Sequence, residues 1–312
     1  MTRLLYSAQV ILFGLFCFFL LATCLQVFGD SNPLTKLDHK APVYNNFEEY
    51  DPSLSRLNSI DKLVKYCDSL YLGTVFTNNQ VEVERDYTNI VNSVVRKRFF
   101  HGYSFYGFSR NYMALLLSKA TVPGLGAVVV PNDILKFPFA ACSQQSIVMM
   151  EVLRSKGFNT RKVSFQGNIS GHFCFEVFYD GDWHFYDTNM EPDVNLLNSY
   201  GRPGIAFLAS NPEILVKAYK QYPRNKILDI FPKYTYGDIN KFPAPKAIIF
   251  QNVSKFLSYL AWFFFLFFYL IVRHKYLRLR NEKNVRNRGI YFPQSETEGS
   301  STYYPGITAP GA

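Results

Sequence analysis

The sequence predicts an α+β domain flanked by two membrane-crossing helices. Two long uncharged runs lie toward the chain ends, helical periodicity dominates the first half of what lies between them, and short alternating segments around an Asp-Gly pair follow in the second half. The chain has 312 residues, 48% hydrophobic and 18% charged, which is too apolar and too weakly charged for a disordered polymer. Five cysteines over this length exclude a small disulfide-stapled scaffold, and the lack of any internal repeat argues against a solenoid or propeller.

The elements follow in chain order. No charged residue occurs from Leu4 to Gly29, and Val10 to Leu25 is almost wholly apolar. This run reads as an uncleaved anchor, or as a signal peptide cut after Gly29. Leu21-Ala22-Thr23-Cys24 comes close to a lipoprotein cleavage box but has Thr where a smaller residue is usual. Residues 30–50 read as a polar linker. Ser59-Ile60-Asp61 opens a helix with Leu63, Val64, Cys67, Leu70 and Tyr71 at helical spacing. Val83 to Phe100 repeats the pattern, Tyr112 to Leu117 gives a third apolar stretch, and Pro123, Gly124 and Gly126 break the chain. Ala141 to Lys156 reads as a helix closed by Gly157, a residue type that tolerates positive φ. Three short strands follow, Arg161–Gln166, Phe173–Tyr179 and Trp183–Tyr186, the last two joined at Asp180-Gly181 as a hairpin.

The second apolar run, Phe256 to Val272, holds 17 residues without a charge. That is about the lower limit for a spanning helix, and Lys255 can extend it by snorkelling. Seven Lys and Arg follow between Arg273 and Arg288, an excess that marks the cytoplasmic side. Two spans then place both termini in the cytoplasm and residues 30–255 outside it. The tail from Gly289 onward is rich in Ser, Thr, Pro and Gly and reads as disordered. The expected organisation is an anchor over 1–29, an extracytoplasmic domain over 30–246, a transmembrane helix over 247–272 and a basic cytoplasmic tail over 273–312. The net charge of +9 fits this layout. Residues 30–255 carry 25 Lys and Arg against 21 Asp and Glu, while the last forty carry seven against three. The excess therefore sits largely at the ends, which suits a lipid bilayer rather than a nucleic acid.

Three residues stand out by position. Cys142 begins the Ala141–Lys156 helix, His172 opens the first hairpin strand, and Asp187 ends the second. A thiol of pKa about 8.5 reacts as its thiolate, which a helix N-terminus and a neighbouring imidazole both stabilise. The amides of a helix start also suit an oxyanion. A carboxylate beside the imidazole holds its tautomer and stabilises the imidazolium. Each residue alone has a plainer role: a small buried hydrophobe, a hydrogen-bonded strand histidine, a turn aspartate. Their order and element positions together favour a nucleophile–base–acid set.

Residues 109 to 193 resemble the transglutaminase-like superfamily. The matching pieces are Cys142-Ser143-Gln144-Gln145-Ser146, Leu153 to Val163 with Gly157 and Arg161, Gly171-His172, Glu176-Val177 and Gly181-Asp182-Trp183 leading to Asp187. The resemblance covers about a quarter of the chain. It implies a papain-related core, with N-terminal helices, a catalytic helix and an antiparallel sheet. It also implies a catalytic Cys142, His172 and Asp187 acting as nucleophile, general base and orienting carboxylate. The activity implied is that of a cysteine-dependent acyltransferase or amide hydrolase, protease-like, with a protein or peptide amide as substrate and neither cofactor nor metal. By the same likeness Asn111-Tyr112 is the counterpart of an oxyanion-assisting aromatic, the alternative being a core tyrosine, Arg161 is structural, and the two-span layout is that of bacterial members, with the domain periplasmic or at the cell surface. The alternative is a catalytically silent module that binds cell-envelope protein or polysaccharide.

The remaining candidates carry plainer expectations. His172 and Cys174 share a strand face, but no second Cys/His pair with zinc spacing follows, and Cys174 is expected to pack. A Cys67–Cys174 disulfide stays open. His184 is expected to face the surface, and the aromatic run from Phe99 to Tyr103 to pack in the core rather than to stack on a sugar.

Overall fold

The computed structural model describes residues 2–28, 41–44, 48–73, 80–120, 125–168, 171–190 and 192–289. Most of the linker expected over 30–50, the whole tail beyond Gly289, and Pro123 and Gly124 lie outside the described residues. The fold is a mixture of helix and sheet in two units, one of Met1–Phe18 with Trp262–Ala312 and one of Phe19–Ala261.

Each apolar run becomes a long helix. Helix α1 covers Thr2–Phe28 and the last helix, α10, covers Pro245–Gly289. Both are long and apolar enough to cross a membrane. Within the first unit their aromatic side chains meet, with ring centroids 5.3 Å apart for Phe13 and Tyr269 and 6.4 Å apart for Phe16 and Trp262. At 45 residues α10 runs well beyond the 17-residue apolar core. A helix of that length is about 67 Å long, roughly twice a bilayer's hydrocarbon thickness. The surplus has two uses. At the C-terminal end it carries the basic residues. At the N-terminal end it belongs to the second unit, where Gln251, Ser254 and Ser258 are fully buried. The helix thus begins before the expected 246/247 boundary and continues past 272.

The second unit starts with helices, as the periodicity requires. Helix α2 (Ile60–Leu72) opens at Ser59, whose hydroxyl accepts from the Lys62 amide. Helices α3 (Gln80–Arg98) and α4 (Phe108–Ala120, kinked at Asn111) follow. Strands β1 (Phe100–His101) and β2 (Phe139–Ala140) pair in parallel, Phe100 opposite Phe139. Helix α5 (Cys142–Ser155) leaves β2 directly and ends before Gly157, whose φ of 88° needs glycine.

The four-stranded sheet has the order β5-β4-β3-β6, every pair antiparallel. Strands β3 (Asn159–Gln166), β4 (Gly171–Tyr179) and β5 (Asp182–Tyr186) are those the sequence predicts, one or two residues longer. Asp180 and Gly181 turn the hairpin at φ of 53° and 76°, the double positive φ that a two-residue type I′ loop demands. Strand β6 (Tyr234–Tyr236) and the short helices α6 (Val194–Ser199), α7 (Ile205–Ser210), α8 (Pro212–Ala218) and α9 (Arg224–Ile230) occupy a stretch in which the sequence shows no pattern.

Strand alternation divides the core in two. Phe175, Val177, Tyr179 and Tyr186 face a cluster built with α3 and α5 through Val91, Val95, Ile147 and Val152. Val163, Phe165, Cys174 and Phe185 face a second cluster, closed by Leu197, Ile205, Leu215, Ile227 and Phe231 from the short helices. Cys67 belongs to the first cluster and Cys174 to the second, and both are free thiols. No disulfide joins them because they lie on opposite faces of the sheet.

Candidate active site

The hairpin register decides where the imidazole and the carboxylate go. Phe175 pairs with Tyr186 in the last rung of β4 and β5. Asp187 lies one residue beyond that rung, so it faces the position of Cys174 and is diagonal to His172. Alternation turns all three side chains to one face. His172 Nε2 stands 2.7 Å from Asp187 Oδ2, and the ligand atoms of His172, Cys174 and Asp187 lie within 4.8 Å of one another.

Asp187 is fully buried and its lone pairs are well used. Oδ1 accepts the backbone N–H groups of Asn189 (3.0 Å) and Met190 (2.9 Å), and Oδ2 accepts the Tyr219 hydroxyl (3.0 Å) beside the imidazole. Burial alone would raise its pKa, yet the His172 charge and hydrogen bond and the Met190 and Asn189 amides hold it below the ordinary carboxylate value. The balance for His172 runs the other way. Burial favours the neutral ring, but Asp187 outweighs it and the pKa stands well above the ordinary histidine value, with a hydrogen bond to the Cys142 thiol acting in the same sense. Phe165 stacks on the imidazole and Phe231 meets its edge, with centroids 6.1 and 5.8 Å away. Two thiols act on the ring: buried Cys174, which shares its strand face, and Cys142 at the start of α5.

Cys142 is the first residue of α5 and is partly exposed. Ser146, one turn on, donates to the Phe173 carbonyl at 3.2 Å and pins the helix against the start of β4. Gln144 secures the N-terminus. Its Oε1 accepts from the amides of Ala141 and Ser104, and its Nε2 donates to the carbonyls of Ser104 and Val128. The first-turn amides of α5 have no acceptor within the helix, which leaves them available to an anion near the thiol.

The β1–β2 pair gives the end of the Phe99–Tyr103 run a place that the sequence does not predict. It lays the chain from Phe100 onward beside β2, with the Gly102 amide donating to Ala140. A Cβ on Gly102 would stand 2.2 Å from Pro42 Cγ, so only glycine fits that crossing. Tyr103, the next residue, interacts with the start of α5. Its phenol bonds the Ser143 side chain, and its pKa is raised by burial and by Cys142. His101 lies in the field of His172 and shares a 3.0 Å contact with Asn189. The expected core packing of this run holds for Phe99 and Phe100 but not for His101, which is exposed, or for Tyr103, which is 53% exposed.

Two expectations are corrected. Tyr112 does not assist Cys142, for its hydroxyl donates to the Ser258 carbonyl (2.5 Å) and Asn111 Nδ2 donates to the Gln251 carbonyl (3.2 Å). Both residues are fully buried against α10. His184 is buried, stacked 3.7 Å from Tyr179, with its ring nitrogens 2.7 and 3.0 Å from the carbonyls of Arg202 and Tyr179. β5 has a covered face there because Arg202 folds back over it. Arg161 is structural: it binds Glu176 and lies between the rings of Trp183 and Tyr236. Cys174 packs, fully buried, and burial raises its pKa well above the usual thiol value. The His172, Cys174 and Asp187 set suits a metal poorly, because both Asp187 oxygens already accept from protein donors.

Comparison of the chain with protein families, curated proteins and solved structures finds no match.

Proposed function

We propose that this chain is a membrane-anchored cysteine enzyme of the transglutaminase-like, papain-related kind, which cleaves or transfers an amide acyl group. The supporting observation is the buried 2.7 Å pair of Asp187 and His172, with the partly exposed Cys142 at a helix N-terminus acting on the same imidazole. The raised His172 pKa favours an imidazolium, the form that pairs with a thiolate. Cys142 Sγ attacks the amide carbonyl, and the first-turn amides of α5 face the oxygen as it gains charge. The imidazolium gives its proton to the departing amine, leaving a thioester. Water or a second amine then adds to the thioester, giving up a proton to His172, and the thiolate leaves. Asp187 keeps the ring oriented throughout.

The basic end of α10 and the uncharged stretch of α1 support an arrangement with the domain outside the cytoplasm and the tail within it. The reading is tested with a peptide carboxamide, with and without a primary amine, on the full chain in detergent. Wild type should release ammonia or incorporate the amine, and Cys142→Ala should do neither. Equal background release from both would contradict it.

A further inference from the structure

Toward its N-terminal end, one face of α10 is polar and buried. Gln251, Ser254 and Ser258 are at most 1% exposed, and Lys255 falls on the same face at helical spacing. Buried polar groups are almost always hydrogen-bonded, so the partners of this face say what it does. Lys255 does not snorkel; it binds both oxygens of buried Asp133 at 3.1 and 2.9 Å, beside the Tyr106 hydroxyl at 2.7 Å. Ser258 offers its carbonyl to Thr23 and Tyr112. Gln251 differs from both, because its partners lead toward Cys142.

Gln251 docks on the extended segment 125–129. Its Nε2 donates to the carbonyls of Leu125 (3.0 Å) and Ala127 (2.6 Å), and its Oε1 accepts the Val129 amide (2.9 Å). The side-chain amide thus stands where a neighbouring strand would, taking the polar groups of alternate residues along one edge. The intervening residues turn to the other edge. There the Tyr106 amide donates to the Gly126 carbonyl (3.0 Å), the Val128 amide donates to the Ser104 carbonyl (2.9 Å), and Phe105 bridges Ala127. Gln144 closes that edge. Its Nε2 donates to the carbonyls of Val128 (2.7 Å) and Ser104 (2.9 Å), while its Oε1 accepts the amides of Ser104 (3.0 Å) and Ala141 (3.1 Å). Ala141 immediately precedes Cys142.

Two buried glutamines therefore hold opposite edges of one short segment. Gln144 ties it to the start of α5, and Gln251 ties it to α10. Loss of the Gln251 amide would strip two carbonyls and one N–H of their partner, and a five-residue segment must shift to replace them. Gln144 moves with that segment, and the first turn of α5 moves with Gln144.

We propose that Gln251 is a positioning residue for Cys142: α10, acting through the 125–129 segment and Gln144, sets the helix start on which the thiol sits. The proposal rests on the reading of Cys142 as the nucleophile. It makes the first turns of α10 part of the catalytic scaffold rather than a tether for it.

The test is the rate at which iodoacetamide alkylates Cys142 at pH 6 in the full-length chain in detergent, with peptide mapping to separate it from the other cysteines. The titratable groups that interact with Cys142 are His172 and Cys174 of β4 and Tyr103, and none is altered. Gln251→Met keeps the length of the side chain and removes its hydrogen bonds. It should slow Cys142 about tenfold, the scale of one lost hydrogen bond. Gln144→Met should slow it at least as much, and the double variant no further than Gln144→Met alone, since both act along one path. Tyr112→Phe cuts a different tie to α10, the bond to the Ser258 carbonyl, and should leave the rate unchanged. Should circular dichroism show Gln251→Met misfolded, Gln251→Glu retains an acceptor for the Val129 amide and should slow Cys142 by a smaller factor. A folded Gln251 variant with the wild-type rate, an equal loss in Tyr112→Phe, or additive losses in the double variant would each overturn the proposal. The enzyme reading fails separately: a wild-type Cys142 no faster than a free thiol removes the nucleophile and the proposal with it. A fast wild-type thiol that Gln251→Met leaves fast keeps the nucleophile and removes only the positioning role.

Discussion

Two carboxylates are fully buried on the β4–β5 hairpin, and their partners separate them. Glu176 accepts from Arg161 through Oε2 and from the Ile205 amide through Oε1. Its cation is permanent and is held between Trp183 and Tyr236, 4.1 and 3.8 Å from their ring centres. Asp187 is as deeply buried and as fully hydrogen-bonded, but its partner is an imidazole that interacts with the thiols of Cys174 and Cys142. A guanidinium cannot surrender a proton in this setting, whereas an imidazolium can. The first pair can therefore only hold the hairpin, while the second can both hold it and move a proton.

The comparison can be broken from either side. The largest effect belongs to His172→Ala, which should lower amide turnover by about 10⁴-fold or more while leaving the fold recognisable by circular dichroism. Asp187→Asn comes next, with turnover reduced by about 10²- to 10⁴-fold. It should also cost stability at neutral pH, on the order of 3 kcal/mol for a buried pair that loses one partner, read by chemical denaturation.

The pH dependence of that loss has a defined sign. The raised His172 pKa contributes stability that is fully present below about 6.5 and is lost as pH climbs through the folded-state value. The lowered Asp187 pKa contributes above about 3.9 and is lost as pH falls through its folded-state value. The stability difference between wild type and Asp187→Asn should thus be widest between these limits and shrink on both sides.

Tyr103→Phe removes only a half-exposed phenol that bonds Ser143, and it should lower kcat on the order of tenfold, less than a dedicated oxyanion donor would. At the far end, Arg161→Met should leave thiol reactivity and its pH profile unchanged, although it strands Glu176 and destabilises the chain by about 3–5 kcal/mol. A changed alkylation profile in Arg161→Met would erase the distinction between the two pairs.

What the sequence reveals follows the range of the interactions involved. The α5 helix, its Gly157 end and the Asp180-Gly181 hairpin are local, so periodicity and turn chemistry find them. The positions of Cys142, His172 and Asp187 are legible for the same reason, since each lies at or next to the end of a readable element. Tyr103 is not, because its position depends on a two-residue parallel pair joining segments some forty positions apart. Helices α6 to α9 have six or seven residues each, too few turns for an apolar face to repeat. Tyr219 and Phe231, which complete the surroundings of Asp187 and His172, arrive with that unreadable stretch. For Asn111 and Tyr112 the sequence leaves an oxyanion role and a core role open, and the core role holds because α10 buries both.

The coupling of Cys142 to His172 is tested most directly by its alkylation rate at pH 6. The full-length chain in detergent is treated with iodoacetamide, and peptide mapping follows Cys142 separately from the other four cysteines. Cys142 should react faster than a free thiol at that pH, and His172→Ala should return it to the free-thiol rate. A Cys142 that reacts no faster than free thiol, and no differently in His172→Ala, would contradict that coupling.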